Sequence, residues 1–160
     1  LGLDRSARPL LSAGALLANT GLFVAHSGHH KHSYYVIRNS EHLKGYTDRE
    51  IEMIAQIARY HRKSPPSAEK HPEFAALPEA DQPTVRACAA LLRVAVGLDR
   101  NHDGAVASVE VVTGEQIQVV VRPKADAGSD SDLSFECWSA NERTGLLASV
   151  LGVPVVVRQA

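Results

Sequence analysis

The apolar periodicity of this chain changes from helical to alternating near residues 101–104, and this change constrains the fold more than any other feature. Before it, apolar residues recur every three or four positions, as on the buried face of an amphipathic helix. After it, residues 105–112 and 116–122 alternate as half-buried strands do. We therefore predict an all-α region at residues 1–103 and a small α+β region at residues 104–160.

Helix boundaries in the first region follow from capping and stop signals. Residues 9–20 predict a short apolar helix, and Thr47 with Glu50 forms a capping box that predicts the start of another helix. Between them, residues 26–33 are polar and contain glycine, so we predict a loop there. Residues 81–98 are apolar around almost their whole circumference, which is typical of a central helix.

The second region begins with a predicted hairpin. Residues 113–115, Thr-Gly-Glu, join its two strands. After a segment of small and polar residues at 125–131, Leu133, Phe135 and Cys137 alternate with more polar residues. This alternation predicts a third strand.

A helix and a final strand are expected after that third strand. Residues 139–142, Ser-Ala-Asn-Glu, match a second capping box and predict a helix start. Residues 153–158 are rich in valine and predict a closing strand. The expected order of the second region is therefore β-β-β-α-β.

The net charge hides an asymmetry along the chain. The formal charge is −1, yet residues 1–63 hold nine Lys or Arg against five Asp or Glu, together with six of the eight histidines. The remaining residues hold eight basic against thirteen acidic side chains. A localised basic, His-rich surface indicates an anionic partner.

Neither the cysteines nor the apolar runs point to a secreted or membrane protein. Cys88 and Cys137 lack metal-ligand spacing and lie in apolar surroundings, as reduced core cysteines do. No apolar run approaches the roughly 18 residues of a membrane span. We therefore expect a cytoplasmic protein without a membrane partner, and, because the chain begins at Leu1, a piece of a longer polypeptide.

The densest group of chemistry-bearing residues is HSGHHKHS at residues 26–33. Its imidazoles, lysine, serine hydroxyls and glycine backbone N–H groups could all donate to phosphate oxygens. Four histidines could also ligate a transition metal, although the segment contains no carboxylate. They could instead hydrogen-bond the loop itself, and composition alone leaves all three interpretations open.

A second basic group, RYHRK, occupies residues 59–63 at the end of a predicted helix. The helix dipole favours cations there, so this group could simply cap the helix. Combined with residues 26–33, it favours a phosphate-lined surface. The sequence contains no GxSxG, Walker or GxGxxG motif, and we assign no catalytic residue.

Together these elements resemble the C-terminal half of the exopolyphosphatase / guanosine pentaphosphate phosphohydrolase family (Ppx/GppA). HSGHHKHS, the Asn-Ser of residues 39–40, RYHRK and the GLDR of residues 97–100 occur in order and at matching intervals. The resemblance is strongest over residues 16–66. It implies that two actin-like, ATPase-type domains precede this region and hold the catalytic groups and Mg²⁺.

The resemblance also implies an HD-like fold for residues 1–103, dimer contacts, and polyphosphate or guanosine penta- or tetraphosphate as the ligand. It implies no cofactor and no catalytic residue in this chain, and no DNA partner. It gives both basic groups a phosphate-binding role. The residues expected to contact phosphate are His26, His29, His30, Lys31, His32, Ser33, Arg59, His61, Arg62 and Lys63.

The relation to HD enzymes implies a degenerate metal centre. Ala18 and Asn19 align with the His-Asp pair of those enzymes, and Val96 aligns with a later ligand aspartate. Ala and Val cannot ligate a metal, and a neutral Asn is a poor replacement for a bridging carboxylate. We therefore expect no metal site in this chain.

The leading hypothesis is the C-terminal region of an exopolyphosphatase-like phosphohydrolase that binds polyphosphate and is not catalytic alone. Two alternatives stay open. One is a standalone metal-dependent phosphohydrolase that uses the His cluster. The other is a regulatory module that binds guanosine tetraphosphate or a protein partner.

Overall fold

The computed structural model describes residues 2–124 and 132–160, so the segment of small and polar residues at 125–131 lies outside the described residues. The chain divides into two compact units, Leu1–Leu92 and Arg93–Ala160. The predicted division between residues 103 and 104 lies just before the first strand and stays a prediction.

The first unit is built from helices. The described elements are α1 (Ala7–Leu17), a 3₁₀ helix (Thr20–Phe23), α2 (His29–Arg38), α3 (Asp48–Arg59), α4 (Pro72–Ala75) and α5 (Gln82–Leu98), whose last residues belong to the second unit.

Helix α3 forms the centre of this unit. The predicted capping box is confirmed, because the Thr47 hydroxyl accepts from the Glu50 N–H and the Glu50 carboxylate accepts from the Thr47 N–H. Ile54 and Ile57 are fully buried, and both α1 and α2 pack against this helix. Gly14 permits the close approach of α1, since a Cβ at that position would lie 2.7 Å from the Ile57 side chain.

The loop predicted at residues 26–33 is wrong in its second half, because α2 begins at His29. Gly28 starts the helix with a left-handed φ of 70°, a conformation that glycine adopts at little cost. His29, Ser33 and Ile37 then follow four residues apart and are all buried. The polar composition concealed this helical face, because two of its three core positions carry polar side chains.

The second unit contains a small sheet. Its strands are β1 (Val106–Val112), β2 (Ile117–Pro123) and β3 (Val155–Gln159), in the spatial order β1-β2-β3. β1 and β2 are antiparallel and form the predicted hairpin, whereas β2 and β3 are parallel. Parallel strands require a long crossover, and this one includes α6 (Ser134–Asn141) and α7 (Gly145–Leu151).

The third strand expected at Leu133, Phe135 and Cys137 is wrong, because these residues enter and form α6. Leu133 and Cys137 are buried whereas Phe135 is 44% exposed. Positions four residues apart share a face in both a strand and a helix, so these few residues could not distinguish the two. After α5, the described elements of the second unit therefore follow the order β-β-α-α-β.

The second capping box, expected at residues 139–142, is also wrong. Ser139 and Asn141 belong to α6 itself, and the next helix begins later, at Gly145. The Ser139 hydroxyl contacts the Arg143 guanidinium instead of capping a helix. By contrast, the final strand predicted at residues 153–158 is confirmed, because β3 runs from Val155 to Gln159.

The described part of the chain thus combines helices with a small sheet, which confirms the mixed class that the sequence predicts. None of the described helices has both the length and the apolar character that a membrane span requires. The HD-like character of the helical unit stays a prediction.

Candidate functional site

The first turn of α2 meets the segment that follows α3, and this meeting brings the two predicted basic groups together. The Nε2 atoms of His29 and His61 lie 3.4 Å apart. Their rings stack with centroids 5.4 Å apart and an angle of 25° between the planes. Both side chains are buried, with 5% and 3% of their surface exposed.

Backbone carbonyls fix the orientation of both rings. The Nδ1 atom of His29 lies 3.1 Å from the His26 carbonyl oxygen, and the Nδ1 atom of His61 lies 2.7 Å from the Ala58 carbonyl oxygen. A carbonyl only accepts, so these two contacts are hydrogen bonds in the tautomer that carries the proton on Nδ1. The same contacts leave both Nε2 atoms pointing toward each other.

Arg62 brings a permanent positive charge to this pair. Its Nη1 atom lies 3.3 Å from Nδ1 and 3.4 Å from Nε2 of His29. Arg62 is only half-buried, so it remains partly accessible to solvent. Because arginine stays charged and offers five donors, it suits binding of phosphate or carboxylate oxygens.

His30 lies beside the pair in an environment that disfavours its charged form. Its Nδ1 atom is buried without a hydrogen-bond partner among the described residues. Burial, and after it the charge of nearby basic groups, lowers the pKa of His30 to about 4. Those groups are Arg62, His61, His29 and Lys31.

His26 and His32 complete the group around His29. The His26 ring meets that of His29 edge-on at 5.9 Å. Burial contributes most to the lowered pKa of His29, and the charges of Arg62, His26 and His32 lower it as well. We refer to these residues as the basic cluster: His26, His29, His30, Lys31, His32, His61 and Arg62.

The start of α2 adds to the positive potential of the basic cluster. No side chain caps this helix, and its first turn contains no acidic residue. The N–H groups of His29 and Lys31 donate to the His26 and Gly28 carbonyls, and the helix dipole places a partial positive charge at this end of α2. Gly28, which sequence reasoning did not select as a site residue, sets this helix start; its signal was a glycine directly before a histidine-rich turn.

Two predicted phosphate contacts lie elsewhere in the unit. Ser33 is fully buried, and its hydroxyl donates to the Ala18 carbonyl while accepting from the Gly21 N–H. Arg59 pairs with Glu73 at 3.1 Å and lies over the ring of Tyr34. Neither residue presents its polar group to the basic cluster in the contacts that the structure shows.

Lys63 follows Arg62 directly along the chain. It is exposed and has a φ of 61°, in the left-handed region that few non-glycine residues adopt. This turn ends the segment after α3.

The residues that align with the HD metal ligands do not fit a metal ion. Ala18 is buried and offers only its carbonyl, which Ser33 already uses, while Asn19 is exposed. Across residues 2–124 and 132–160, no three His, Cys, Asp or Glu side chains converge as a metal site would require.

Comparison with known proteins agrees with the family resemblance. Residues 2–137 match the family described as Ppx/GppA phosphatase, domain III. A segment of 54 residues is 39% identical to the guanosine-5'-triphosphate,3'-diphosphate pyrophosphatase of Pseudoalteromonas translucida (strain TAC 125). That segment spans 34% of this chain and 11% of that protein, so the chain matches a small part of the relative.

The family match covers most of the helical unit and continues into α6. It includes every residue of the basic cluster. The predicted family is therefore confirmed, and this chain belongs to the Ppx/GppA phosphatase family, in which it corresponds to domain III.

Proposed function

We propose that the basic cluster binds inorganic polyphosphate or a related phosphate polyanion, as a part of a phosphohydrolase that does not hydrolyse phosphate by itself. One observation carries this proposal: the uncapped first turn of α2 lies against His61 and Arg62, which come from the end of α3. A helix start and an arginine that meet in this way form a site suited to an anion.

Each part of the basic cluster has a distinct role in this proposal. Arg62, which is partly accessible to solvent, donates to phosphate oxygens. Lys31 is exposed on the first turn of α2 and adds a second cation. The buried His29 and His61 hold Arg62 and the start of α2 in place, so they act mainly as positioning residues.

Hydrolysis needs more than the basic cluster supplies. A water molecule that attacks phosphorus must be oriented by a general base, and the charge of the leaving group must be neutralised, usually by a metal ion. The groups that influence the pKa of His29 and His30 are all basic, and no carboxylate is among them. In this proposal the ATPase-type domains of the family carry the reaction and its Mg²⁺.

A guanosine phosphate is the second candidate ligand. The relative from Pseudoalteromonas translucida is described as acting on guanosine-5'-triphosphate,3'-diphosphate. Its matched segment is similar to this chain, and a guanosine polyphosphate offers the same phosphate oxygens as polyphosphate. Competition between the two ligands for the same site distinguishes a shared phosphate site from a nucleotide-specific one.

The proposal also covers the fold of the helical unit, its assembly and its location in the cell. We infer an HD-like fold for the helical unit without its metal centre, dimer contacts, and a cytoplasmic location. The sequence resemblance and the family match support these inferences. Binding along several basic groups would retain a long polyanion while an adjoining catalytic domain shortens it.

Binding of labelled polyphosphate at low ionic strength tests the proposal. We expect the Arg62→Gln and Lys31→Gln variants to bind about tenfold more weakly, because each loses a charge-assisted contact. Lys44→Gln removes an exposed lysine from the same basic half and is the matched control. Unchanged affinity in both cluster variants, or an equal loss in the control, would contradict the proposal.

A further inference from the structure

The two aromatic residues of the second unit both lie on its surface. Phe135 and Trp138 are the only aromatic residues that follow Phe74 in the sequence, and 44% and 59% of their surfaces are exposed. The buried apolar residues of the sheet and of α7 are valines and leucines instead. Because aromatic side chains can bury more apolar area than aliphatic ones, this placement leaves a large apolar surface in contact with solvent.

Phe135 and Trp138 form one continuous patch on α6, which we refer to as the aromatic face. Their ring centroids lie 5.9 Å apart, and the ring planes are inclined by 35°. The N–H of Glu142 donates to the Trp138 carbonyl oxygen at 3.1 Å, which continues the helical hydrogen-bond pattern to Glu142. Residues three and four positions apart share one side of a helix, so Glu142 lies one turn from Trp138 on the same side.

Two exposed carboxylates lie at the ends of α6, on either side of the aromatic face. Asp132 precedes the helix, and its oxygens accept from the N–H and the hydroxyl of Ser134 at 2.9 and 2.7 Å. These hydrogen bonds lower the pKa of Asp132, so it is charged at neutral pH. Glu142 directly follows the last residue of the helix. The ion pairs within residues 2–124 and 132–160 include neither carboxylate.

Exposed aromatic rings beside carboxylates suit a cationic group, and an arginine suits them best. A guanidinium stacks on the face of an aromatic ring, most favourably on tryptophan, and its planar fork of N–H groups can donate to a carboxylate at the same time. A lysine ammonium supplies the charge without the planar stack. An anion, by contrast, is repelled by Asp132 and Glu142, so this surface takes a ligand of opposite charge to that of the basic cluster.

A second copy of this chain fits the aromatic face less well than a basic partner does. Antiparallel packing of α6 against α6 of another copy would bring Asp132 of each copy toward Glu142 of the other. Parallel packing would bring each carboxylate toward its own counterpart. Both arrangements place like charges together, which opposes association. The charge pattern therefore favours a basic partner over self-association.

We propose that the aromatic face, with Asp132 and Glu142 at its ends, binds an arginine-bearing segment of a partner polypeptide. Trp138 stacks on the guanidinium, and Glu142 accepts hydrogen bonds from it. Asp132 pairs with a second basic side chain at the other end of α6. Tryptophan and arginine are the residues that most often dominate the binding energy of protein interfaces. This interaction uses no residue of the basic cluster, so it does not depend on the proposed anion binding.

Fluorescence titration tests this proposal, because Trp138 is the only tryptophan of the chain. The probe is a synthetic glycine–serine peptide that carries two arginines, added at low ionic strength. We expect a saturable change in emission with this peptide and none with a matched citrulline peptide, because citrulline keeps the shape of arginine without its charge. A matched lysine peptide should bind about threefold more weakly. No binding of the arginine peptide, or equal binding of the citrulline or lysine peptide, would overturn the proposal.

Binding of the fluorescently labelled arginine peptide, measured by anisotropy, locates the contact on the protein. We expect Trp138→Ala to weaken binding about tenfold and Glu142→Gln about threefold. Glu115→Gln removes an exposed carboxylate from the hairpin turn and is the matched control, so it should keep the wild-type affinity. Unchanged affinity in both variants of the α6 surface, or a loss in the control equal to that of Glu142→Gln, would overturn the proposal.

Sedimentation of the chain without peptide tests the alternative occupant. We expect Trp138→Ala to leave the oligomeric state of the chain unchanged. A wild-type dimer that dissociates in this variant would assign the aromatic face to a second copy and overturn the proposal. Should Trp138→Ala not fold, the comparison of the three peptides on wild-type protein and the Glu142→Gln variant decides.

Discussion

The backbone N–H of Gly21 donates to the hydroxyl of Ser33 at 2.9 Å, and this hydroxyl donates in turn to the Ala18 carbonyl at 2.7 Å. The contact links the 3₁₀ helix to α2. Gly21 has no Cβ, and any other residue there would collide with the backbone of His29 and Ser33. Ser33 therefore holds the start of α2 in place, on which the proposed anion site depends.

Ser33→Ala should lower the free energy of unfolding by about 1–3 kcal/mol, because it leaves the buried Gly21 N–H without its acceptor. Urea unfolding measures this loss. Ser27→Ala, in the exposed turn before α2, is the matched control and should change stability by less than about 0.5 kcal/mol. A Ser33→Ala variant of unchanged stability that no longer binds polyphosphate would instead make Ser33 a direct ligand.

Arg59 and Arg62 should respond differently to substitution although they are close in sequence. Arg59 is largely buried between Glu73 and two aromatic rings, so Arg59→Gln should lower stability by about 1 kcal/mol and leave phosphate affinity nearly unchanged. Arg62→Gln should instead weaken phosphate binding and leave stability nearly unchanged. Parallel unfolding and binding measurements on both variants check this separation, and equal affinity losses would contradict it.

Acid should weaken the fold through His30. Its pKa is lowered from 6.5 to about 4 by burial, so folding favours the neutral ring. This contribution to stability is complete above pH 6.5 and decreases as the pH falls toward 4. His30→Leu should flatten the decline of unfolding free energy over that interval, measured by urea unfolding at stepped pH. An identical decline in wild type and variant would show that His30 does not cause the loss of stability in acid.

In the second unit, the side-chain amide of Asn141 hydrogen-bonds both backbone groups of Val157, as the backbone of a neighbouring strand would. Its amide donates to the Val157 carbonyl at 2.7 Å and accepts from the Val157 N–H at 2.8 Å, which links α6 to β3. Asn141→Ala should lower the free energy of unfolding by about 1–3 kcal/mol, because both backbone groups lose a partner. The exposed Glu142→Ala is the control, and equal stability of the two variants would contradict this role.

Local signals in the sequence identified much of the fold. Thr47 and Glu50 predicted the start of α3 because a capping box is complete within four residues. The hairpin was equally local, since its turn and both strands are adjacent in sequence. The predictions that failed were a third strand near Leu133, a loop through His29 and a helix start at residues 139–142. Each relied on too few residues or on polarity alone.

The candidate site was only partly predictable for the same reason. Composition indicated that residues 26–33 and 59–63 suit an anion. The contact between His29 and His61, which are 32 positions apart, depends on how α2 packs against α3. Packing of this kind also separates Arg62 from Arg59 and turns Ser33 inward, and no local pattern encodes it.

The most direct test of the anion site is an amide NMR titration of the isotope-labelled chain with polyphosphate at low ionic strength. We predict saturable shifts at Gly28, Lys31 and Arg62, with little change in the three strands, and weakening as salt is added. Shifts centred instead on Arg122 or Arg158 in the sheet, or no shifts at all, would contradict the central claim that the basic cluster binds phosphate.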